Sequence, residues 1–328
     1  MGRHRRMNVL VKAPNWLGDA VMGLPLLRSL RTMDPGGRVS VLTRAAFADL
    51  YRGAPVDEVV LHERGGIGSF RRTVRELKKR AFDAAVVVPR SFSAAFVVFA
   101  AKIPRRIGYA GRGRSLLLTD ALRRPADRRH RVHEYHHLLS ALGTPPAVAP
   151  PHLELQPEAV AWAERALPGG PWIGLNPGAT YGAAKQWFPE RFIELAKRLS
   201  ARARIAVVGG PAEAELGRRV ADAVGGACLA GSTTVSQLAA AIARCRLFVT
   251  NDTGPMHVAD AVGTPVVAVF GPTDWIETPP FRPGHALVRH ELPCAPCKRR
   301  VCPLGHHDCM KRVRVEDVEA ACLARLAP

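Results

Sequence analysis

The chain has 328 residues, with 47 Lys+Arg against 28 Asp+Glu and a formal net charge of +19. Hydrophobic residues at 47% and charged residues at 23% exclude wholesale disorder, and the length leaves room for two full cores. The longest apolar stretch, Phe92 to Ala101, has about half of the roughly 20 residues that a membrane-crossing helix needs. The basic N-terminus lacks the sustained apolar run of a secretory signal, so a cytoplasmic protein with mostly reduced thiols is expected.

In chain order the first half reads as strand, loop and helix repeated. Val9–Lys12 is a buried strand, and Asp19–Arg31 a helix with Val21, Leu24, Leu27 and Leu30 inward. Val39–Leu42, Val59–Leu61 and Ala84–Val88 are further strands, with helical stretches near Phe47–Tyr51 and Phe70–Lys79. Continuous Val/Leu runs alternating with amphipathic helices indicate a parallel sheet covered on both faces. The arginine-rich segment 105–131 breaks the pattern, and His133–Leu142 returns to helix. Thr144–Pro157, with five prolines in fourteen residues, reads as an extended linker, dividing the chain into domains at 1–150 and 151–328.

The second half repeats the alternation. Its strands are Ile173–Leu175, Ile205–Val208, Leu247–Thr250 and Val266–Val269. Its helices are Pro189–Ser200, Ala212–Val224, Val235–Ala243 and Pro255–Val262, and a last one, Val315–Leu326, is a candidate to pack back on the N-terminal lobe. The expected fold class is α/β, with two doubly wound Rossmann-like lobes and a cleft between them, the usual place for a ligand.

Four places could hold chemistry. Asn15-Trp16-Leu17-Gly18-Asp19 joins a strand to a helix, where Asp19 either caps the helix or acts as a carboxylate base at the strand's carboxyl end. Asn176-Pro177-Gly178-Ala179-Thr180 with Lys185 could grip a phosphate through loop amides and one ammonium, although the P-loop spacing is missing. Asp252-Thr253-Gly254-Pro255-Met256-His257 opens a helix, whose N–H groups suit an anion, with Thr253 adding a hydroxyl and His257 in the first turn. Gly209-Gly210-Pro211, with Glu213 able to accept from a ribose, and Phe270–Asp274 are loops on the same rim, and together they favour a nucleoside diphosphate. No GxGxxG dinucleotide fingerprint is present. Finally Cys294, Cys297, Cys302 and Cys309, with His306 and His307 among them, allow a structural zinc site or reduced thiols in a packed loop. Cys228, Cys245 and Cys322 look like core thiols.

The segments LVKAPNWLGDAVMGLPLLRSLR, NPGATYGAAKQWFPERFIELAKRL, VVGGPAEAE and FVTNDTGPMHVADAVGTPVVAVFGPTD resemble the ADP-heptose:lipopolysaccharide heptosyltransferases of glycosyltransferase family 9. The loop CAPCKRRVCPLGHHDCM makes the chain most similar to the heptosyltransferase II branch. The resemblance covers nearly the whole chain, weakest over 105–131, with residues 1–6 outside it. It implies a GT-B fold, an acceptor-binding N-terminal lobe and a donor-binding C-terminal lobe. It further implies inverting transfer of L-glycero-D-manno-heptose from ADP-heptose onto the heptosyl-Kdo2-lipid A inner core. By motif, Asp19 matches the general base, Lys185 the donor-phosphate lysine and Thr180 the donor-loop threonine. Asp252, Thr253, Gly254 and His257 match the donor-binding turn, and Gly210 and Glu213 the adenosine side. Tyr181 departs from the pattern, standing where some members have a second Thr.

No cofactor is required on this reading, although Mg or a structural Zn is compatible with it. The charge excess lies in the presumed acceptor half: residues 1–165 hold 28 Lys+Arg and 14 Asp+Glu, a net of +14, against 19 and 14, a net of +5, for 166–328. The segment 105–131, with Arg112 and Arg114, is therefore the candidate surface for an anionic acceptor and the inner membrane, with Asn15 and Trp16 as further acceptor contacts. Two alternatives stay open: a related glycosyltransferase adding another sugar to a cell-envelope glycan, and a basic, zinc-bearing nucleic-acid binder. Aromatic residues at only 6% and the lack of a helix-turn-helix or RRM pattern count against the latter.

Overall fold

The computed structural model describes residues 6–62, 65–180 and 182–327. The chain forms two compact units, 1–151 and 152–328.

The N-terminal unit is built on strands β1 (Asn8–Lys12), β2 (Arg38–Thr43), β3 (Glu58–Leu61), β4 (Ala84–Val87), β5 (Arg105–Tyr109) and β6 (Asp120–Leu122). They pair in parallel in the order β3-β2-β1-β4-β5-β6. The C-terminal unit carries β7 (Trp172–Asn176), β8 (Arg204–Val207), β9 (Ala227–Cys228), β10 (Cys245–Asn251), β11 (Val266–Val269) and β12 (Ala286–Val288), in the parallel order β12-β11-β10-β7-β8-β9. Read from its own first strand, each sheet has the doubly wound order 3-2-1-4-5-6. The direction of winding reverses between β1 and β4 in one unit and between β7 and β10 in the other. The loops leaving the carboxyl ends of these central strands are where such sheets bind ligands.

The continuous apolar runs make these central strands. Leu10, Leu42, Ala85 and Val87 pack with Val97, Val98 and Ile103 in the first core. Ile173, Val249, Val267, Phe192 and the fully buried Trp187 form the second. The last helix, Val315–Leu326, places its buried Val315, Val318 and Cys322 in that second core.

Other departures from the sequence reading have local causes. The helix expected over Asp19–Arg31 is two helices, Leu17–Met22 and Leu24–Met33, divided at Gly23. Pro25 lacks an N–H and its ring crowds the preceding turn, so it begins the second helix rather than continuing the first. Gly18, in the segment expected to join strand and helix, lies inside that first short helix. The segment 105–131 does not leave the sheet but supplies β5 and β6, with Ile107 and Tyr109 buried between charged strand ends. Helices Phe92–Ala100 and Pro157–Ala166, together with β9 and β12, were not anticipated.

Candidate active site

At the carboxyl end of β7 and β10 a polar network replaces the apolar core. Thr250 of β10 lies beside Asn176 of β7 in the strand register. The Asn176 amide donates from Nδ2 to the Thr253 hydroxyl at 2.7 Å and to the Thr250 hydroxyl at 3.2 Å. Asn251 donates from its own Nδ2 to the carbonyls of Pro177 and Gly178, at 3.1 and 3.0 Å, and accepts from the Trp187 backbone N–H at 2.9 Å. Two side-chain amides thus hold the loop after β7 against the start of helix Gly254–Val262. The Asn251 amide is hydrogen-bonded through both its oxygen and its nitrogen, whereas Asn176 Oδ1 is buried without a partner among the described residues.

Lys185 ends the turn Ala183–Lys185 on this loop, and its Nζ lies 2.9 Å from a carboxylate oxygen of Asp252 and 3.2 Å from the Asp252 carbonyl. Asp252 is buried, as is His257 in the first turn of the helix. Glu213 accepts from the Gly210 N–H at 2.7 Å, and its carboxyl group fills the space beside Gly178, where any Cβ would lie 2.1 Å from it. Thr180 is exposed on the loop. Lys185, Gly210, Glu213, Asp252, Thr253, Gly254 and His257 therefore gather on the carboxyl edge of one sheet, whereas Tyr181 lies outside the described residues.

The cysteine-rich loop packs beside the lysine turn. Cys294, Cys297, Cys302 and Cys309 line one small pocket with His306 and His307. Among the described residues, however, no three His, Cys, Asp or Glu side chains are placed to hold a metal ion. Cys309 also packs in the C-terminal core with Met310. The zinc alternative thus finds no ligand set among the described residues. What the loop does is grip the lysine turn: the His307 ring donates from Nε2 to the Ala184 carbonyl at 2.9 Å, and the Arg300 carbonyl accepts from the Ala184 N–H at 3.1 Å. Cys245 and Cys322 are core thiols as read, whereas Cys228 is half-buried.

In the N-terminal unit Asp19 lies in the short helix after β1, half-buried, and accepts from the Tyr135 hydroxyl at 2.8 Å. Lys12 ends β1, almost fully buried, donating to the Ala13 carbonyl at 2.9 Å and reaching Asn15 Oδ1 at 3.5 Å. Burial, reinforced by the charge of Arg44, lowers its pKa to about 8. His62 is lowered by burial too, with Lys12 and Arg44 adding to it. Trp16 is exposed immediately before the helix, and Arg112 is exposed on its own loop.

Arg114 departs from its expected place. It is 2% exposed, donates to the Val87 carbonyl at 3.3 Å, and presses against Gly108, where a Cβ would lie 2.8 Å from its guanidinium. The missing side chain at Gly108 lets the guanidinium lie in the sheet layer, which withdraws Arg114 from the exposed surface expected of it. Other arginines of 105–131 are likewise committed within the fold. Arg105 pairs with Asp120 at 3.0 Å, Arg129 with Asp127 at 2.6 Å, and Arg124 and Arg131 both reach the buried Glu134.

Lys12 and Tyr135 were not singled out from sequence, and Asn176, Asn251 and His307 stood there only as members of their motifs, with no role of their own. Only Lys12 gave a signal there, as a lysine ending an otherwise apolar strand.

The glycosyltransferase family 9 (heptosyltransferase) model matches residues 70–307. The lipopolysaccharide heptosyltransferase 2 of Salmonella typhimurium is 32% identical over 310 residues, covering 86% of this chain and 88% of that protein. The enzyme of the same name from Escherichia coli is 32% identical over 313 residues, with the same two coverages, 86% and 88%. The solved structure of the Escherichia coli ADP-heptose lps heptosyltransferase II superposes with a TM-score of 0.83 at 30% identity, covering 98% of each chain. Two Rossmann-like units, the loops on their carboxyl edges and these matches agree on a GT-B glycosyltransferase, and the chain belongs to glycosyltransferase family 9, the heptosyltransferases.

Proposed function

We propose that this enzyme transfers L-glycero-D-manno-heptose from ADP-heptose onto the heptosyl-Kdo2-lipid A inner core of lipopolysaccharide, with inversion at the anomeric carbon. The observation that carries the reading is the placement of Lys185, Thr253 and the start of helix Gly254–Val262 at the winding reversal of the C-terminal sheet, a setting suited to a diphosphate. The names of the relatives supply the sugar, and the C-terminal unit is assigned the donor.

In the reaction the bond from the anomeric carbon to the diphosphate oxygen breaks, ADP leaves with the electron pair, and an acceptor hydroxyl oxygen bonds to the carbon. Lys185 exchanges its hold on Asp252 for the diphosphate, and the amides at Thr253 and Gly254 share the departing charge. A well-placed donor of this kind contributes about 3–4 kcal/mol. Glu213 faces the adenosine ribose, Thr180 the donor loop, and His257 supports the phosphate turn. In the N-terminal unit, assigned the acceptor, Asp19 takes the proton of the attacking hydroxyl, with Asn15 and Trp16 just before it in the chain and Arg112 exposed on a loop of the same unit. No residue step depends on a metal or a nucleic acid. Such an acceptor places the work at the cytoplasmic face of the inner membrane, and no helix among the described residues is long and apolar enough to cross it.

ADP release measured with ADP-heptose against a panel of truncated lipopolysaccharide acceptors tests the reading. Turnover is expected on the acceptor that ends in a single heptose. Turnover only on the heptose-free acceptor, or only with another sugar nucleotide, overturns it in favour of a related transferase.

A further inference from the structure

Helix Phe92–Ala100 is apolar apart from the exposed Ser93. Its inner residues Ala94, Ala95, Val97 and Val98 are buried in the N-terminal core, yet its outer face presents Phe92, Phe96 and Phe99 at 52%, 38% and 43% exposure. The spacing follows the helical period, so the three rings form one stripe. Their centroids lie 5.9 and 6.5 Å apart, and Phe70 of the neighbouring helix Ile67–Lys79 stacks on Phe96 at 5.3 Å.

This stripe has a cationic rim. Helix Ile67–Lys79 exposes Arg71, Arg72, Arg75 and Lys78, none of which makes an ion pair or side-chain hydrogen bond among the described residues. The Arg106 guanidinium stands 5.5 Å from the centre of the Phe99 ring. Exposed aromatic side chains gathered on one face mark an interaction site rather than ordinary surface.

We propose that this stripe and its rim are the surface on which the protein docks onto an anionic lipid bilayer, with the phenyl rings entering the boundary between headgroups and acyl chains and the cations meeting lipid phosphates. A second copy is a poorer occupant, because a two-fold contact sets the same unpaired cations against each other. Single-stranded nucleic acid is poorer too, because the ring faces already stack on one another at interplanar angles of 8°, 17° and 24° rather than standing open to bases. The inference draws on the proposed function only for the reason to be at a membrane. The surface itself stands on the rings and charges.

The test is co-sedimentation of the full-length protein with vesicles of phosphatidylethanolamine and phosphatidylglycerol, and with vesicles of phosphatidylcholine alone. The wild type is expected to partition onto the anionic vesicles, and to be released by salt. The triple variant Phe92→Ala, Phe96→Ala, Phe99→Ala should lose about tenfold or more of that partition. Arg71→Gln, Arg72→Gln, Arg75→Gln should lose about a hundredfold. Both variants should keep the wild-type circular dichroism spectrum, since the altered side chains are at the surface.

No preference for anionic vesicles overturns the proposal, as does a partition that neither variant reduces. A dimer that the phenylalanine variant dissociates, or an oligonucleotide bound through these residues in place of vesicles, also overturns it. Partition requires neither donor nor acceptor. Its failure therefore leaves the transfer reading standing, and absent ADP release leaves the docking surface standing.

Discussion

The Tyr135 hydroxyl donates to Asp19 Oδ1 at 2.8 Å, tying the proposed base to a helix 116 residues further along the chain. Tyr135 is fully committed to this bond: burial first, and then the Asp19 charge, push its pKa well above 10. The tyrosine therefore remains a donor throughout the working pH range and fixes the carboxylate's direction. Asp19→Ala is expected to retain ADP binding and to lose about 10²–10⁴-fold in kcat. Tyr135→Phe should also keep ADP affinity and lose about tenfold in kcat, the equivalent of a charge-assisted hydrogen bond of about 1.5 kcal/mol. Steady-state kinetics with calorimetry decide it, and near-wild-type turnover in Asp19→Ala would sink the assignment.

Lys185 and Asp252 form a largely buried ion pair, so each depends on the other when no donor is bound. Lys185→Ala should weaken ADP binding by about tenfold to a hundredfold in calorimetry. It should also lower stability by about 1–3 kcal/mol, because Asp252 is left buried without its cation. Unchanged ADP affinity counts against the donor assignment even if stability falls.

Lys12 gives the molecule a pH signature. An unfolded lysine titrates near 10.5 and the folded one near 8. Below pH 8 both states hold the proton, and the native state bears the cost of burying it. Between 8 and 10.5 the native state releases a proton that the unfolded state keeps, so stability rises with pH through that window. The gain is about 3 kcal/mol at most. Urea unfolding at pH 7 and pH 9.5 should show the rise in the wild type, and Lys12→Met should lack it. An equal slope in both proteins refutes the assignment.

The thiols should separate by reactivity. The His307 N–H most of all, with those of Leu304 and Gly305, points at Cys302 and lowers its pKa, outweighing burial, which acts in the opposite direction. Burial raises Cys245 and Cys322 to about 12, and Cys309 to about 11 with help from the neighbouring thiols. Iodoacetamide at neutral pH, followed by peptide mass mapping, should modify Cys302 well before those three. Equal protection of Cys294, Cys297, Cys302 and Cys309, together with one zinc per chain by elemental analysis, would mean that the loop closes on a metal instead.

The parts of the fold that were legible in sequence are those governed by local chemistry. Buried parallel strands announce themselves as Val/Leu runs, and Pro255 marks a helix start, so the loops bearing Asp19, Lys185 and Thr253 could be placed at strand ends. The Asn176 and Asn251 network could not be seen, because it exists only once β7 and β10 become neighbours. Tyr135 and His307 were hidden for the same reason, each serving a residue more than a hundred positions away. Arg114 misled because an arginine in a basic stretch reads as surface, and only the absent side chain of Gly108 makes room for it inside. The Phe92–Ala101 run was judged only as too short to cross a bilayer. Its helical spacing, which exposes every third or fourth ring, was the informative property.

The repeated strand order has a consequence for how this enzyme can change. Each unit has its own winding reversal, and the proposed donor and acceptor groups are divided between them. On that assignment, substitutions around β1 and β4 re-aim the enzyme toward a new acceptor without disturbing the amides and the lysine proposed to hold the nucleotide. One chain architecture can in this way supply a series of transferases that share a donor and differ in the hydroxyl they extend.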